Sequence, residues 1–191
     1  SNRAMVVQQL PTAGVSRQFD TWEELERYTS DLVKTGTIGQ FNEVRWDVRP
    51  SPGWGTLEVR VSDANTNALE LRAIAAYIHC LVDHFSSELD AGKELPALPD
   101  WYAVLITDPE GNEKPVTETV RECLVELEPV AEKLGCLEDL YGLETIMTMG
   151  AAYQRFLKVA ELNGGSLDAV VEHMREEMRA ERPLAPAATV D

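Results

Sequence analysis

The sequence predicts an α+β fold: an antiparallel sheet with one ionic face, helices on its other face, and a helical bundle at the C-terminal end. Three observations carry this. Two runs, Asn42–Pro50 and Thr56–Asp63, alternate apolar and charged residues with period two, and the turn-rich segment Ser51–Gly55 joins them. A long stretch from Ala68 to Ala91 keeps the helical period. Beyond it, four helical segments are separated by Gly135, Gly150 and Gly164-Gly165.

The elements follow in chain order. Asp20 followed by Glu23 reads as a capping box opening a helix that carries Trp22, Leu25, Tyr28 and Leu32 on one side and stops near Gly36. In the first alternating run Glu43, Arg45, Asp47 and Arg49 share one side and Val44, Trp46 and Val48 the other. In the second, Thr56, Glu58, Arg60 and Ser62 oppose Leu57, Val59 and Val61. The long helix has the stripe Leu71, Ile74, Ala75, Ile78, Leu81, Val82, Phe85 and Leu89, expected to cover the apolar underside of the strands. Asp90–Asp100 reads as a loop and Asp108–Asn112 as a turn. Helices are expected near Val116–Leu134, Leu137–Met149, Ala151–Leu162 and Ser166–Arg182, with acids such as Glu126 and Glu177 facing solvent and a loose Pro/Ala tail from Pro183. The expected division is a sheet and helix region over 1–115, a helical region over 116–182 and the tail over 183–191.

An amphipathic strand pair is the ordinary pattern of a sheet wetted on one side, and acid–base pairs commonly fill such a face. Three features point beyond that. The face is almost wholly ionic, its cations are three arginines with no lysine, and Trp46 and Trp54 sit beside it. Arginine grips carboxylate or phosphate with a planar fork, where lysine is a mobile point charge. The chain carries 33 acids against 17 bases, a net charge of -16, so its mean field disfavours nucleic acid and anionic membrane as partners, and the strand face stands out as a local anion site.

Other patterns say less. Cys80, Cys123 and Cys136 lack Cys-x-x-Cys spacing, which fits reduced thiols in a cytoplasmic protein. Cys80 with His84, and His79 with Asp83, have the i, i+4 spacing of metal ligands, but the apolar residues between them read as packing. Gly-x-Ser-x-Gly and the P-loop pattern are absent, as are an apolar run of membrane-span length and a signal-peptide start.

Trp46-Asp47-Val48-Arg49-Pro50, followed by Gly55-Thr56-Leu57-Glu58-Val59-Arg60 and Asp63-Ala64, resembles the signature of the second glutamate-cysteine ligase family, the ATP-dependent carboxylate-amine ligases. Ser1-Asn2-Arg3 with Gln8–Gly14, the helix from Phe19, Gly150–Arg155 and Gly165–Val171 are similar to further parts of that family, so the resemblance spans nearly the whole chain. It implies a glutamine-synthetase-like sheet whose polar face lines the active site, and a reaction in which ATP phosphorylates the side-chain carboxylate of glutamate and an amine such as cysteine displaces phosphate. It implies Mg2+ or Mn2+ with ATP, Glu58 and Asp47 as metal ligands, Arg60 and Arg49 as catalytic contacts to the transferred group, and Arg3 and Arg45 as substrate contacts. Small-molecule substrates are the expected partners, with a homo-oligomer open. The chain departs from the family in lacking the opening strand with paired glutamates and, between Trp101 and Ile106, the basic segment after the long helix. The upstream catalytic half is therefore expected to be absent from this sequence, and the competing reading is a non-catalytic or split ligase half that binds an anion or completes a partner chain's site.

Overall fold

The structure is a computed structural model that describes residue 7, residues 9–95 and residues 115–188. The expected loop and turn between 96 and 114 lie outside the described residues, as does the departure at Trp101–Ile106. The chain forms two compact units, Ser1–Ala64 and Asn65–Asp191.

In the first unit, α1 (Trp22–Lys34) opens at Thr21, one residue later than the sequence suggests. The Thr21 side chain accepts from Glu24 N at 3.2 Å, while the Glu24 carboxylate reaches back to Asp20 N at 3.1 Å. The capping box exists, shifted by one position, because threonine is also a competent cap and Glu24, three residues on, lies where its acid can return. A 3-10 turn at Phe41–Glu43 precedes β1 (Val48–Ser51), which pairs antiparallel with β2 (Thr56–Val59) in the register Val48↔Val59, Arg49↔Glu58, Pro50↔Leu57 and Ser51↔Thr56. The first alternating run is thus strand only at its end. Glu43 does not join the ionic face, because its carboxylate accepts from Gly39 N at 2.8 Å.

The core of this unit is Ile38, Val44 and Trp46, packed by Phe19, Leu25, Tyr28, Leu32 and Phe41. Trp46 lies nearly parallel to Tyr28, 6.2 Å between ring centres, and Phe19 tilts against both. So α1, the short helix, covers the apolar end of the first run. Further along the ribbon the expected burial is reversed: Val48, Leu57 and Val61 are exposed, whereas Arg49 on the ionic side is 13% exposed.

The second unit begins with α2 (Ala68–Asp90), capped by Asn67, whose side chain accepts from Glu70 N at 2.9 Å. Its buried positions are Glu70, Ala73, Ala76 and Cys80, and the last three pack with α3 (Val116–Leu134) and α4 (Leu137–Met149) around Leu124, Leu127, Ala131, Leu140 and Leu143. Within this unit the small residues of α2 are the buried ones, with Ile74, Tyr77 and Leu81 packed beside them. The reason is close approach: a Cβ on Gly142 of α4 would lie 2.9 Å from Ala73 Cβ, so only small side chains fit between these helices. Gly135, at φ 70, ends α3 in the left-handed conformation that glycine adopts without cost.

Helices α5 (Ala152–Leu162) and α6 (Leu167–Ala180) complete the unit. They are tied to the start of α2 by charge. Arg155 on α5 donates to Glu70 through Nη1 at 2.8 Å and to Glu177 through Nε at 2.7 Å, with its remaining bonds going to Gly150 O and to the second oxygen of each acid. Thr66 Oγ1 donates to Glu177 at 2.6 Å, and Leu184 N donates to it at 3.1 Å. Glu177, expected to face solvent, is fully buried. Burial opposes ionisation of this carboxyl, but the bonds from Arg155, Thr66 and Leu184 outweigh it and hold it below the usual carboxylate range. The Arg155 guanidinium moves the other way, since its bonds to both acids outweigh the desolvation that would lower it. The tail is held as well, at Leu184 and through Asn163 donating to Ala187 O at 3.1 Å.

Candidate functional site

The ionic side of the hairpin brings together three of the six residues singled out from the sequence, Arg49, Glu58 and Arg60. Arg49 and Glu58 are direct cross-strand partners, so their side chains leave the same face of the ribbon, and Arg49 Nε donates to Glu58 Oε2 at 2.9 Å. Arg60, two residues beyond Glu58 and therefore on the same side, places Nε 3.2 Å from Glu58 Oε1. Each oxygen of one carboxylate thus faces its own guanidinium. Arg49 is anchored further by Nη1, which donates to the carbonyls of Asn42 and Val44. A lysine could not make this set of bonds, because its single nitrogen cannot face a carboxylate and two carbonyls from one plane.

Asp47 enters through the backbone. Its N–H donates to Gly14 O at 2.8 Å and its carbonyl accepts from Arg60 N at 2.7 Å, so the segment is held on both edges, and Gly14 pairs with Trp46 as a parallel bridge. The Asp47 carboxylate makes no ion pair with the described residues. Arg45 is exposed, and its N–H donates to Thr12 Oγ1 at 2.8 Å. Thr12 sits at φ 66, a left-handed conformation unusual for a β-branched residue, held where its hydroxyl meets Arg45. Arg3 lies outside the described residues. Of the two tryptophans expected beside the face, Trp46 is core and Trp54, in the turn, is 85% exposed.

Two guanidiniums close on one carboxylate in a strongly acidic chain, with Arg45 and Asp47 on the adjoining segment, which suits the face to an anion. Its oxygen donors, Asp47 and Glu58, are the hard ligands that Mg2+ prefers, and Mg2+ commonly takes one or two carboxylates with the remaining positions filled by phosphate and water. Each oxygen of Glu58 takes one guanidinium and keeps a lone pair for a cation, and Asp47 is the acid with no ion pair among the described residues. Among the described residues there is no group of three or more His, Cys, Asp or Glu arranged to hold a metal. The Cys80 and His84 spacing makes no site: Cys80 faces the core with its Sγ 3.7 Å from that of Cys136, and His84 faces Glu126 at 3.4 Å. Burial, helped by Cys136 and Asp83, pushes the Cys80 thiol up to about 11, which leaves it protonated and unreactive at neutral pH.

Sequence reasoning missed the Arg155, Glu70 and Glu177 cluster. The signal was present in the helical phase, because Ala169, His173 and Glu177 recur every fourth residue on the buried side of α6. No described helix is long and apolar enough to cross a membrane.

Comparison with known proteins brings the site and the chain together. A protein of Leifsonia xyli named "Putative glutamate--cysteine ligase 2" is 46% identical over 193 residues, covering 94% of this chain and 51% of the relative. An Arthrobacter protein named "Putative glutamate--cysteine ligase 2-1" is 46% identical over 94% of the chain and 50% of its own length, and one of the same name from Mycolicibacterium vanbaalenii is 45% identical over 93% and 50%. The chain spans about half the length of these curated relatives. The sequence model of glutamate-cysteine ligase family 2 matches residues 1–173, nearly the whole of the chain, from before the hairpin into the last helix, and the chain belongs to that family.

Proposed function

We propose that this chain is the part of an ATP-dependent carboxylate-amine ligase that contributes an anion-gripping strand pair to the active site, in a cytoplasmic enzyme joining the γ-carboxylate of glutamate to cysteine or another amine. Family membership supports the ligase class. The observation that carries the site is Glu58 held between Arg49 and Arg60 on one face of the hairpin. In this reading the sheet is completed in a glutamine-synthetase-like manner, since two strands alone are marginal in water.

Making an amide from a carboxylate needs the carboxylate oxygen converted to a leaving group, and an acyl phosphate does this at the expense of ATP. Most of that chemistry is positioning and charge neutralisation. Arg60 and Arg49 would face the transferred phosphoryl group, Arg45 and Arg3 the carboxylates of the substrate. Glu58 and Asp47 would hold Mg2+ or Mn2+, whose chemistry when bound is to neutralise phosphate charge. An incoming phosphate would compete with Glu58 for the guanidiniums of Arg49 and Arg60.

One observation favours a second reading, in which the chain completes a site on a partner polypeptide: it spans half the length of its relatives. Two assays separate them. ATP hydrolysis by the chain alone that disappears in Glu58→Ala supports an autonomous site; turnover that appears only when the missing half is supplied supports the split reading. In a complete protein, Glu58→Gln should raise the Mg2+ requirement and lower turnover by about a hundredfold or more, with partial relief by excess metal. Arg60→Lys should bind ATP and metal nearly normally but fail in phosphoryl transfer, with a defect that metal does not relieve. If both variants lose activity only in step with Tm, the ionic face is a structural network and the site lies elsewhere.

A further inference from the structure

Helix α2 carries apolar residues on two sides. Its buried side carries Ala73, Ala76 and Cys80 with Ile74, Tyr77 and Leu81 packed beside them, while on the outward side Leu71, Ala75, Val82, Phe85 and Leu89 are exposed and Ile78 among them is half-buried. These six are spaced alternately by four and three residues, so they form one continuous stripe, roughly 27 Å long at the helical rise, with no charge along it. Leu71 is 55% and Leu89 56% exposed, and Val82 and Phe85 are exposed too. Scattered apolar residues on a surface are ordinary, but a contiguous stripe of this length marks a place where something docks.

Two facts bear on the occupant. The relatives that share nearly half of this chain's residues are about twice as long, so family members carry a second half of comparable size. The first unit is incomplete in a related sense: its two-stranded ribbon leaves Val48, Leu57 and Val61 exposed, and such a ribbon needs more polypeptide with an apolar surface to become a stable sheet. A second copy of this chain is disfavoured, because each copy carries a net charge of -16 and an uncharged seam offers nothing to offset the repulsion.

We propose that the outward stripe of α2 is the docking face for the half of a family-length ligase that this chain does not match, and that it receives an uncharged, apolar face of that half. The proposal rests on reading the chain as half of a ligase, but it concerns assembly and does not depend on turnover.

The test is side-chain footprinting with a carbene label, on the 191-residue chain and on a full-length chimera in which it replaces the matching half of the Leifsonia relative. Labelling of Leu71, Val82, Phe85 and Leu89 should fall about threefold or more in the chimera, while exposed Val125 on α3 stays unchanged. Val82→Asp should leave the Tm of the 191-residue chain nearly where it was, since that side chain already meets water, yet restore labelling in the chimera. If the chimera does not fold, the two halves are co-expressed as separate chains, and co-purification that is lost with Val82→Asp supports the docking face. Equal labelling in chain and chimera overturns the proposal, as does co-purification indifferent to Val82→Asp. A stripe that becomes protected in the chain alone as its concentration rises also overturns it and assigns the face to a second copy. An inactive chimera with a protected stripe would count against the ligase reading and leave the docking face standing.

Discussion

Arg155 shows what a single residue can be asked to hold. Its side chain is almost wholly buried, and two carboxylates from different helices take its fork. Burying three charges is costly, and the arrangement persists because nearly every polar atom has a partner. Arg155→Met should therefore strand Glu70 and Glu177 in an apolar environment and lower stability by about 3–5 kcal/mol, read from urea unfolding. Glu177→Gln keeps the shape and removes one charge. Because the folded-state pKa of Glu177 is depressed, its contribution is fully present above the unfolded value, about 4.3, and is lost as pH falls through the folded value. The stability gap between wild type and Glu177→Gln should be widest near neutrality and should close as the solution is acidified below about pH 4. A gap that stays constant with pH would mean the effect is packing and not charge.

At the scale of elements, much of the fold was legible. A capping box marked α1 and helical periodicity marked α2 to within a residue or two, and glycines separated the later helices, because these signals are local. The shared face of Arg49 and Glu58 was legible too, since alternation sets which residues share a face, whereas their direct pairing is seen only in the register of the strands. Which face is covered was not legible. Periodicity shows that a helix has a bulky side; it does not show what lies against that side, and on α2 the small residues are the ones buried. The same limit hid the clasp on Glu58: sequence placed both arginines beside it, but that each takes one oxygen is a matter of distance. The close crossing of α2 and α4 yields its own prediction. Gly142→Val should destabilise by about 1–3 kcal/mol through overpacking against Ala73, and pairing it with Ala73→Gly should recover part of the loss.

For the molecule as a whole, acidity is the property that reaches furthest. At a net charge of -16 the folded chain repels itself, so raising ionic strength from low to moderate should raise its Tm through screening. The exposed pairs, such as Lys34 with Asp31 and Lys158 with Glu161, are too solvated to reverse that trend. A falling Tm over the same range would show that specific ion pairs outweigh the general repulsion.

The clasp of Arg155 also decides where this chain can be cut. The family match ends at residue 173, while Glu177 and the Leu184 N–H that bonds to it come after. A fragment trimmed to the matched residues would keep the guanidinium and lose one of its two acids, together with the last turns of α6 and the pinned tail. Its remaining contacts would be those to Glu70 and Gly150 O. Residues 1–173 should therefore yield to protease under conditions in which residues 1–188 resist it, with the first cuts falling in α5. The boundary drawn by sequence similarity and the boundary needed for a closed hydrogen-bond network are different, and a fragment meant to stay folded should follow the second.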